Sequence, residues 1–285
     1  MTKSRKIFEA LNGASSFLKS KGREEAVARI LLQHELGLSH AGLLSSMRDE
    51  MEEAAFERFW SKVEQHAIGI PVQHLTGTEE FYGRTFAVNE DVLIPRPETE
   101  ELVEETLKLA AELFPDNRPS IADIGTGSGI IAITMKCELP GSRVTATDIS
   151  EKALAMAKRN AAKLGAEVNF QLGDLTEPIR DRKWDIILSN PPYIAHEEAA
   201  DLADTVHDYE PHSALFADNN GLALYEKMAE QLPDLLNKPG IIGFEIGYQQ
   251  GPAVESLLKT AFPDGKVYIK KDINSNDRMA FCIIS

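Results

Sequence analysis

The chain has 285 residues, of which 43% are hydrophobic and 26% charged, and its formal net charge is −15. These values are typical of a globular chain long enough for about two domains, and they exclude a small scaffold held together by disulfides or metal ions. No apolar run approaches the ~20 residues that cross a bilayer, and charges interrupt the N-terminal segment, so the sequence predicts a cytoplasmic protein.

The negative charge is concentrated in the C-terminal part of the chain. Residues 1–85 carry 11 basic and 12 acidic side chains, whereas residues 86–285 carry 19 and 33. Such a field repels phosphate backbones, which disfavours catalysis on duplex DNA. The two cysteines, Cys137 and Cys282, have apolar neighbours and are predicted to be free thiols. The histidines are scattered, and we predict no metal site.

The first part of the chain has the periodicity of helices. Apolar side chains recur at helical spacing in three runs up to about residue 67. They include Ile7, Leu11 and Leu18, then Ala26, Ile30 and Leu31, and finally Phe56, Phe59, Trp60 and Val63. Residues 1–80 are therefore predicted to form a small helical domain, and residues 81–285 a second domain.

After Gly83 short apolar runs alternate with helical patterns. The predicted strands are Ile121–Ile124, Val144–Thr147, Val168–Gln171, Ile186–Ser189, Ile241–Ile246, Val267–Ile269 and Ala280–Ile284. Alternation of this kind is typical of an α/β fold with a mainly parallel sheet. The segment between the last two strands is too short for a helical crossover, which predicts a C-terminal antiparallel hairpin.

The loop after the first of these strands is rich in glycine and reads Asp-Ile-Gly-Thr-Gly-Ser-Gly over residues 123–129. Glycine lets the backbone turn sharply and approach a ligand, and the helix that follows presents free N–H groups. The pattern indicates a nucleotide-cofactor site, with a purely structural turn as the alternative. The residues expected to bind the cofactor are Gly125, Thr126, Gly127, Ser128 and Gly129.

Asp148 ends the next strand, 19 residues after Gly129. A carboxylate at this position can accept hydrogen bonds from both ribose hydroxyls of an adenosine group. Alone it could also cap the helix that starts at Ser150. The glycine-rich loop favours ribose binding. Gly-Asp-Leu at residues 173–175, after the third strand, indicates either an adenine contact at Leu175 or an ordinary turn.

The strand that follows ends in Asn-Pro-Pro-Tyr at residues 190–193. Two prolines fix the backbone and remove two N–H donors, so the Asn190 side chain and the Pro191 carbonyl remain as rigid acceptors. An acceptor pair suits a substrate NH2 group, and an aromatic ring can form a wall beside a planar group. The predicted catalytic and substrate-binding residues are Asn190, Pro191, Pro192 and Tyr193.

These motifs together resemble the S-adenosylmethionine-dependent methyltransferases that act on planar amino groups. Further segments resemble the peptide chain release factor glutamine methyltransferase family, and the match extends from about residue 5 to the C-terminus. They read Pro-Val-Gln-His-Leu-Thr-Gly at 71–77, Glu-Phe-Tyr-Gly at 80–83, Leu-Ile-Pro-Arg-Pro-Glu-Thr-Glu at 93–100, Tyr-Glu-Pro at 209–211, Ala-Leu-Phe at 214–216 and Phe-Glu-Ile-Gly at 244–247.

The resemblance implies a Rossmann-like class I methyltransferase with a seven-stranded sheet and S-adenosylmethionine as cofactor. The implied reaction methylates the side-chain amide nitrogen of the glutamine in the Gly-Gly-Gln motif of release factors, in translation termination. A contact of Asn190 with the cofactor is also expected. The change in charge and pattern near Pro71 predicts that residues 1–80 form a substrate-recognition domain that holds the release factor jointly with the catalytic domain. We expect a monomer with no membrane partner and no direct DNA binding. Arg96 and Glu98 are either near the active site or support the start of a helix.

Two other functions share these motifs. An adenine N6 methyltransferase acting on nucleic acid would have the same cofactor loop and Asn-Pro-Pro-Tyr, but it should also have a basic groove. A non-catalytic adenosine-binding module could retain Asn-Pro-Pro-Tyr without turnover. The acidic charge disfavours the first alternative, and only an assay with a labelled methyl donor distinguishes the second.

Overall fold

The computed structural model describes residues 5–116 and 118–285. The strands are β1 Arg5–Lys6, β2 Glu50–Met51, β3 Thr78–Phe81, β4 Arg84–Ala87, β5 Ser120–Ile124, β6 Arg143–Asp148, β7 Val168–Leu172, β8 Trp184–Ser189, β9 Leu236–Glu245, β10 Lys266–Lys271 and β11 Asp277–Ile284. The α-helices are α1 Ile7–Ser20, α2 Val27–Leu36, α3 His40–Ser45, α4 Glu53–Ala67, α5 Val72–Thr76, α6 Pro97–Leu113, α7 Ile130–Glu138, α8 Glu151–Leu164, α9 Asp204–His207, α10 His212–Leu215, α11 Ala223–Gln231 and α12 Gly251–Ala261. Three 3-10 helices cover Glu177–Ile179, His196–Asp201 and Leu232–Asp234.

The described residues separate into two compact units. One comprises the residues up to Thr78 together with Ala203–Tyr209, and the other comprises Glu79–Leu202 and Glu210–Ser285. Nothing in the sequence pattern indicated that Ala203–Tyr209 pack with the N-terminal helices. The division at residue 80 into a recognition domain and a catalytic domain stays a prediction.

The first unit is held together by the apolar faces of its helices. Leu18, Leu31 and Phe59 come from α1, α2 and α4 and are fully buried against one another. The Arg23 guanidinium donates to both carboxylate oxygens of Asp204, at 2.7 and 2.5 Å. These contacts attach the late segment Ala203–Tyr209 to the N-terminal helices.

The second unit contains a seven-stranded sheet with the order β10-β11-β9-β8-β5-β6-β7. Strand β11 is antiparallel to both β9 and β10, and the neighbouring pairs from β9 to β7 are parallel. All seven predicted strands and the C-terminal hairpin are confirmed, as is the α/β fold class. The parallel strands place their carboxyl ends at one edge of the sheet.

Both faces of the sheet are covered, which explains why its central strands read as continuous apolar runs. Every residue of β5 is buried. Ile121 faces the cluster formed with α6 and α7, and Ala122 faces the cluster formed with α11 and α12. In the described part of the chain, no helix combines the length and the apolarity needed to cross a membrane.

One hairpin was not predicted. Strands β3 and β4 are joined by Tyr82 and Gly83, which have φ values of 50° and 69°. Two consecutive positive φ values define a type I′ turn, for which Asn-Gly is the usual sequence signal. The sequence did not predict the hairpin, because tyrosine occupies the first turn position and the strand Thr-Glu-Glu-Phe is mostly polar.

Candidate functional site

A cavity of about 390 Å³ lies at the carboxyl ends of β5, β6, β7 and β8. It brings together the three motifs identified from the sequence, as expected for a site at the edge of a parallel sheet. The predicted residues that line it are Gly125, Thr126, Gly127, Ser128, Asp148, Asn190, Pro191 and Pro192. Gly129 and Tyr193 are predicted site residues that are not among its lining.

The three glycines of the loop have different surroundings. Gly125 and Gly127 have φ values of 71° and 56°, and no heavy atom lies within 4 Å of the position that a Cβ would occupy. At Gly129, with a φ of 87°, a Cβ would lie 2.8 Å from Ile133 Cδ1 and 3.1 Å from Ala157 Cβ. The first two glycines therefore leave room for a ligand, whereas Gly129 permits α7 to pack closely against α8.

The loop is supported from below by Asp123, which is fully buried. Its Oδ2 accepts hydrogen bonds from Thr126 Oγ1 at 2.6 Å and from the Ala132 N–H at 3.1 Å. Burial raises the pKa of Asp123 to about 7. Asn160 supports the same loop from α8, because its Nδ2 donates to the Ser128 carbonyl at 2.9 Å.

Asp148 lies between the glycine loop and α8. Its Oδ2 accepts from the Gly127 N–H at 2.8 Å and its Oδ1 from the Ser150 N–H at 2.9 Å. Burial raises the pKa of this carboxyl. A carboxylate has about four acceptor positions, so the backbone N–H groups around Asp148 do not exhaust its capacity to accept. The N-cap of α8 is Ser150, whose Oγ accepts from the Ala153 N–H, and not Asp148.

Asn190 follows β8 and lines the cavity. Its Nδ2 donates to Thr99 Oγ1 at 3.3 Å. Pro191 is buried and Pro192 half-buried. The Tyr193 hydroxyl is directed to Glu245, with its oxygen 3.4 Å from Oε1, and the ring packs against the core beside α11 and α12. Its role as an aromatic wall for the substrate stays a prediction.

Arg96 lines the same cavity and forms an ion pair with Glu210, whose side chain is only 1% exposed. Glu210 Oε2 also accepts from the Ile94 N–H at 2.9 Å. The motifs around residues 96 and 210 are therefore held together beside the site. Leu175 lines the cavity as well, which is compatible with the predicted adenine contact.

Sequence reasoning missed several residues of this site. Ile149 is 68% exposed and lines the cavity directly after Asp148, and Leu224 lines it from α11. Thr99 and Glu245 lie within two of the motifs that resemble the family, but the sequence predicts no individual role for them. Ile149 could have been predicted, because it is an apolar residue that directly follows the carboxylate at the end of a strand. Thr99 and Glu245 gave no signal, because they lie 146 positions apart and only the fold joins them.

Comparisons with known proteins identify the family of the chain. Residues 101–209 match the family model described as methyltransferase small domain, and residues 9–77 match the one described as PrmC N-terminal domain. The chain is 46% identical over 281 residues to the release factor glutamine methyltransferase of Bacillus subtilis (strain 168), covering 98% of each protein. It is 45% identical over 278 residues to the release factor glutamine methyltransferase of Bacillus cereus, covering 97% of this chain and 98% of that protein.

Among solved structures, the hMettl16 catalytic domain in complex with an RNA hairpin is similar in fold. The TM-score is 0.54 with 17% sequence identity, and the match covers 82% of each chain. At this identity the likeness concerns the fold alone.

Proposed function

The chain belongs to the family of release factor glutamine methyltransferases, and from this premise we propose how its residues carry out the reaction. The enzyme transfers a methyl group from S-adenosylmethionine to a glutamine side-chain amide of a release factor. The observation that carries the residue assignment is the meeting of Gly127, Asp148 and Asn190 in one cavity. We further propose that the target is the glutamine of the Gly-Gly-Gln motif.

The residues around the cavity fit S-adenosylmethionine. Open space beside Gly125 and Gly127 would admit the amino acid end, and the Asp148 carboxylate, which lines the cavity, would accept hydrogen bonds from the ribose hydroxyls. The exposed side chain of Ile149 and that of Leu175 would contact the adenine faces. When bound, S-adenosylmethionine supplies an electrophilic methyl group on a positively charged sulfur.

The chain's own contribution is to position and polarise the amide. A side-chain amide nitrogen is a poor nucleophile, because its lone pair is delocalised into the carbonyl. Asn190 Oδ1 and the Pro191 carbonyl would accept its two N–H bonds and hold the nitrogen in line with the methyl group. As the N–C bond forms and the C–S bond breaks, positive charge grows on nitrogen and both hydrogen bonds strengthen. The nitrogen then loses one proton to water.

The fold does not distinguish a protein substrate from a nucleic acid substrate, whereas the charge of the chain favours a protein. The fold alone is compatible with nucleic acid methylation, as the hMettl16 similarity illustrates. The excess of acidic residues over 86–285 repels phosphate and suits a basic protein surface. We therefore propose that the chain does not bind DNA directly. We also propose that it acts as a monomer in the cytoplasm and that its helical unit recognises the release factor.

A methyl-transfer assay tests this function. The full chain is incubated with S-adenosylmethionine and an unmodified release factor, and the products are digested and analysed by mass spectrometry. A release factor with Gly-Gly-Ala in place of Gly-Gly-Gln and an adenine-containing DNA duplex serve as matched controls. We expect one methyl group on the glutamine and none on either control. Methylation of the duplex but not of the release factor would favour the adenine methyltransferase instead.

A further inference from the structure

Two buried side chains that the proposed reaction does not use lie directly behind Asn190. Thr99, at the start of α6, and Glu245, at the end of β9, are 0% and 1% exposed. Thr99 Oγ1 lies 2.6 Å from Glu245 Oε2 and 3.3 Å from Asn190 Nδ2. A continuous hydrogen-bonded chain therefore runs from the cavity to a buried carboxylate.

Which group donates in each of these hydrogen bonds follows from the protons that Thr99 and Glu245 carry. At a pH above the pKa of Glu245, which burial raises to about 7, its ionised carboxylate only accepts, so Thr99 gives its single hydroxyl proton to Glu245. The Thr99 oxygen then has only lone pairs to offer to Asn190. It can therefore accept a proton from Nδ2, but it cannot donate to Oδ1.

The other oxygen of Glu245 also accepts a hydrogen bond. The Tyr193 hydroxyl lies 3.4 Å from Glu245 Oε1, and the Arg278 guanidinium lies 3.5 Å from the Tyr193 oxygen. Because a guanidinium has no acceptor, Tyr193 accepts from Arg278 and donates to Glu245. Both hydroxyl groups thus donate to Glu245 when its carboxylate is ionised.

We propose that Thr99 and Glu245 are positioning residues that lock the Asn190 amide with Nδ2 turned inward and Oδ1 turned toward the substrate nitrogen. This inference rests on the proposed role of Asn190 in the methyl transfer. An amide rotated by half a turn would present an NH2 group to the NH2 of the substrate, so two donors would face each other. The two hydrogen bonds from Asn190 to Thr99 and from Thr99 to Glu245, here called the relay, exclude that arrangement before the substrate binds.

Thr99→Val tests the relay, because it keeps the shape of the side chain and removes the hydroxyl. Loss of one hydrogen bond of about 1.4 kcal/mol corresponds to about a tenfold slower single-turnover rate at saturating S-adenosylmethionine and release factor. Thr99→Ser retains the hydroxyl, so its single-turnover rate should stay close to that of the wild type. Rates are compared at a pH above the pKa of Glu245, which burial raises to about 7.

The matched control is Thr106→Val on the same helix. Thr106 is also fully buried, but its hydroxyl donates to the Leu102 carbonyl of its own helix at 2.7 Å. We expect its rate to stay close to that of the wild type. If Thr99→Val does not fold, Glu245→Gln serves as the test variant instead. The isosteric amide removes the charge that sets the direction of the hydrogen bonds, so the single-turnover rate should again fall.

The decisive comparison uses Asn190→Ala as the background. If Thr99 acts through Asn190, adding Thr99→Val to Asn190→Ala should cause no further loss. An equal loss in both backgrounds, or a Thr99→Val rate within the range of the Thr106→Val control, would overturn the relay. An Asn190→Ala variant with the full wild-type rate would instead refute the proposed role of Asn190, and an absence of release factor methylation by the wild type would refute the proposed function, so these failures are distinguishable.

Discussion

The ribose assignment of Asp148 makes a quantitative prediction. Truncation to alanine removes the carboxylate that accepts from the ribose hydroxyls, and its loss should cost about 1.5–3 kcal/mol in total, the contribution of one hydrogen bond to a charged group. Asp148→Ala should therefore bind S-adenosylmethionine about 10- to 150-fold more weakly in calorimetry. Glu167→Ala is the control for net charge, because Glu167 is exposed and precedes β7 at the opposite edge of the sheet.

S-adenosylhomocysteine separates a ribose contact from a general electrostatic effect. It has the same ribose but no positive charge on sulfur. A contact to the hydroxyls predicts that Asp148→Ala weakens both ligands by a similar factor. A loss confined to the cationic ligand would show that Asp148 acts through its charge alone. Unchanged affinity for both would refute the assignment.

Three further predictions concern the loop, the buried carboxyl and the helical unit. Gly129→Ala should lower the melting temperature more than Gly127→Ala, because both place alanine at a positive φ but only at residue 129 would the Cβ also meet Ile133 and Ala157. Gly127→Ala should also weaken cofactor binding, and equal melting temperatures of the two variants would contradict this division. Between about pH 4 and 7 the folded chain keeps a proton on Asp123 that the unfolded chain releases, so the free energy of unfolding should fall as pH rises. In urea titrations, Asp123→Asn should make the free energy of unfolding less dependent on pH over this range. An unchanged slope would assign the effect to other groups. Deleting residues 1–80 should leave cofactor affinity within about threefold and abolish release factor methylation, and methylation at the full rate would refute a recognition role for the helical unit.

The sheet could be predicted because its signals are local. Each central strand is a short apolar run that ends in glycine, aspartate or Asn-Pro-Pro, and the residues after these runs meet at one edge by the geometry of parallel strands. For this reason Gly127, Asp148 and Asn190 could be assigned to one site without knowledge of their distances.

The supporting residues could not be found in this way. The contact between Thr99 and Glu245 depends on how the start of α6 packs against the end of β9, and no periodicity encodes that packing. The same holds for Arg96 and Glu210, which are 114 positions apart. Local sequence reasoning identifies groups that face a ligand, whereas groups that orient them from behind require the tertiary structure.

The central claim is that Asn190 acts on the transition state rather than on binding. The most direct measurement is the single-turnover methylation rate of intact release factor by Asn190→Ala at saturating substrate and cofactor. Removal of one preorganised hydrogen bond predicts a rate about 10²–10³-fold below that of the wild type, with cofactor affinity nearly unchanged. A rate within about threefold of the wild type, equivalent to only ~0.65 kcal/mol, would contradict the claim.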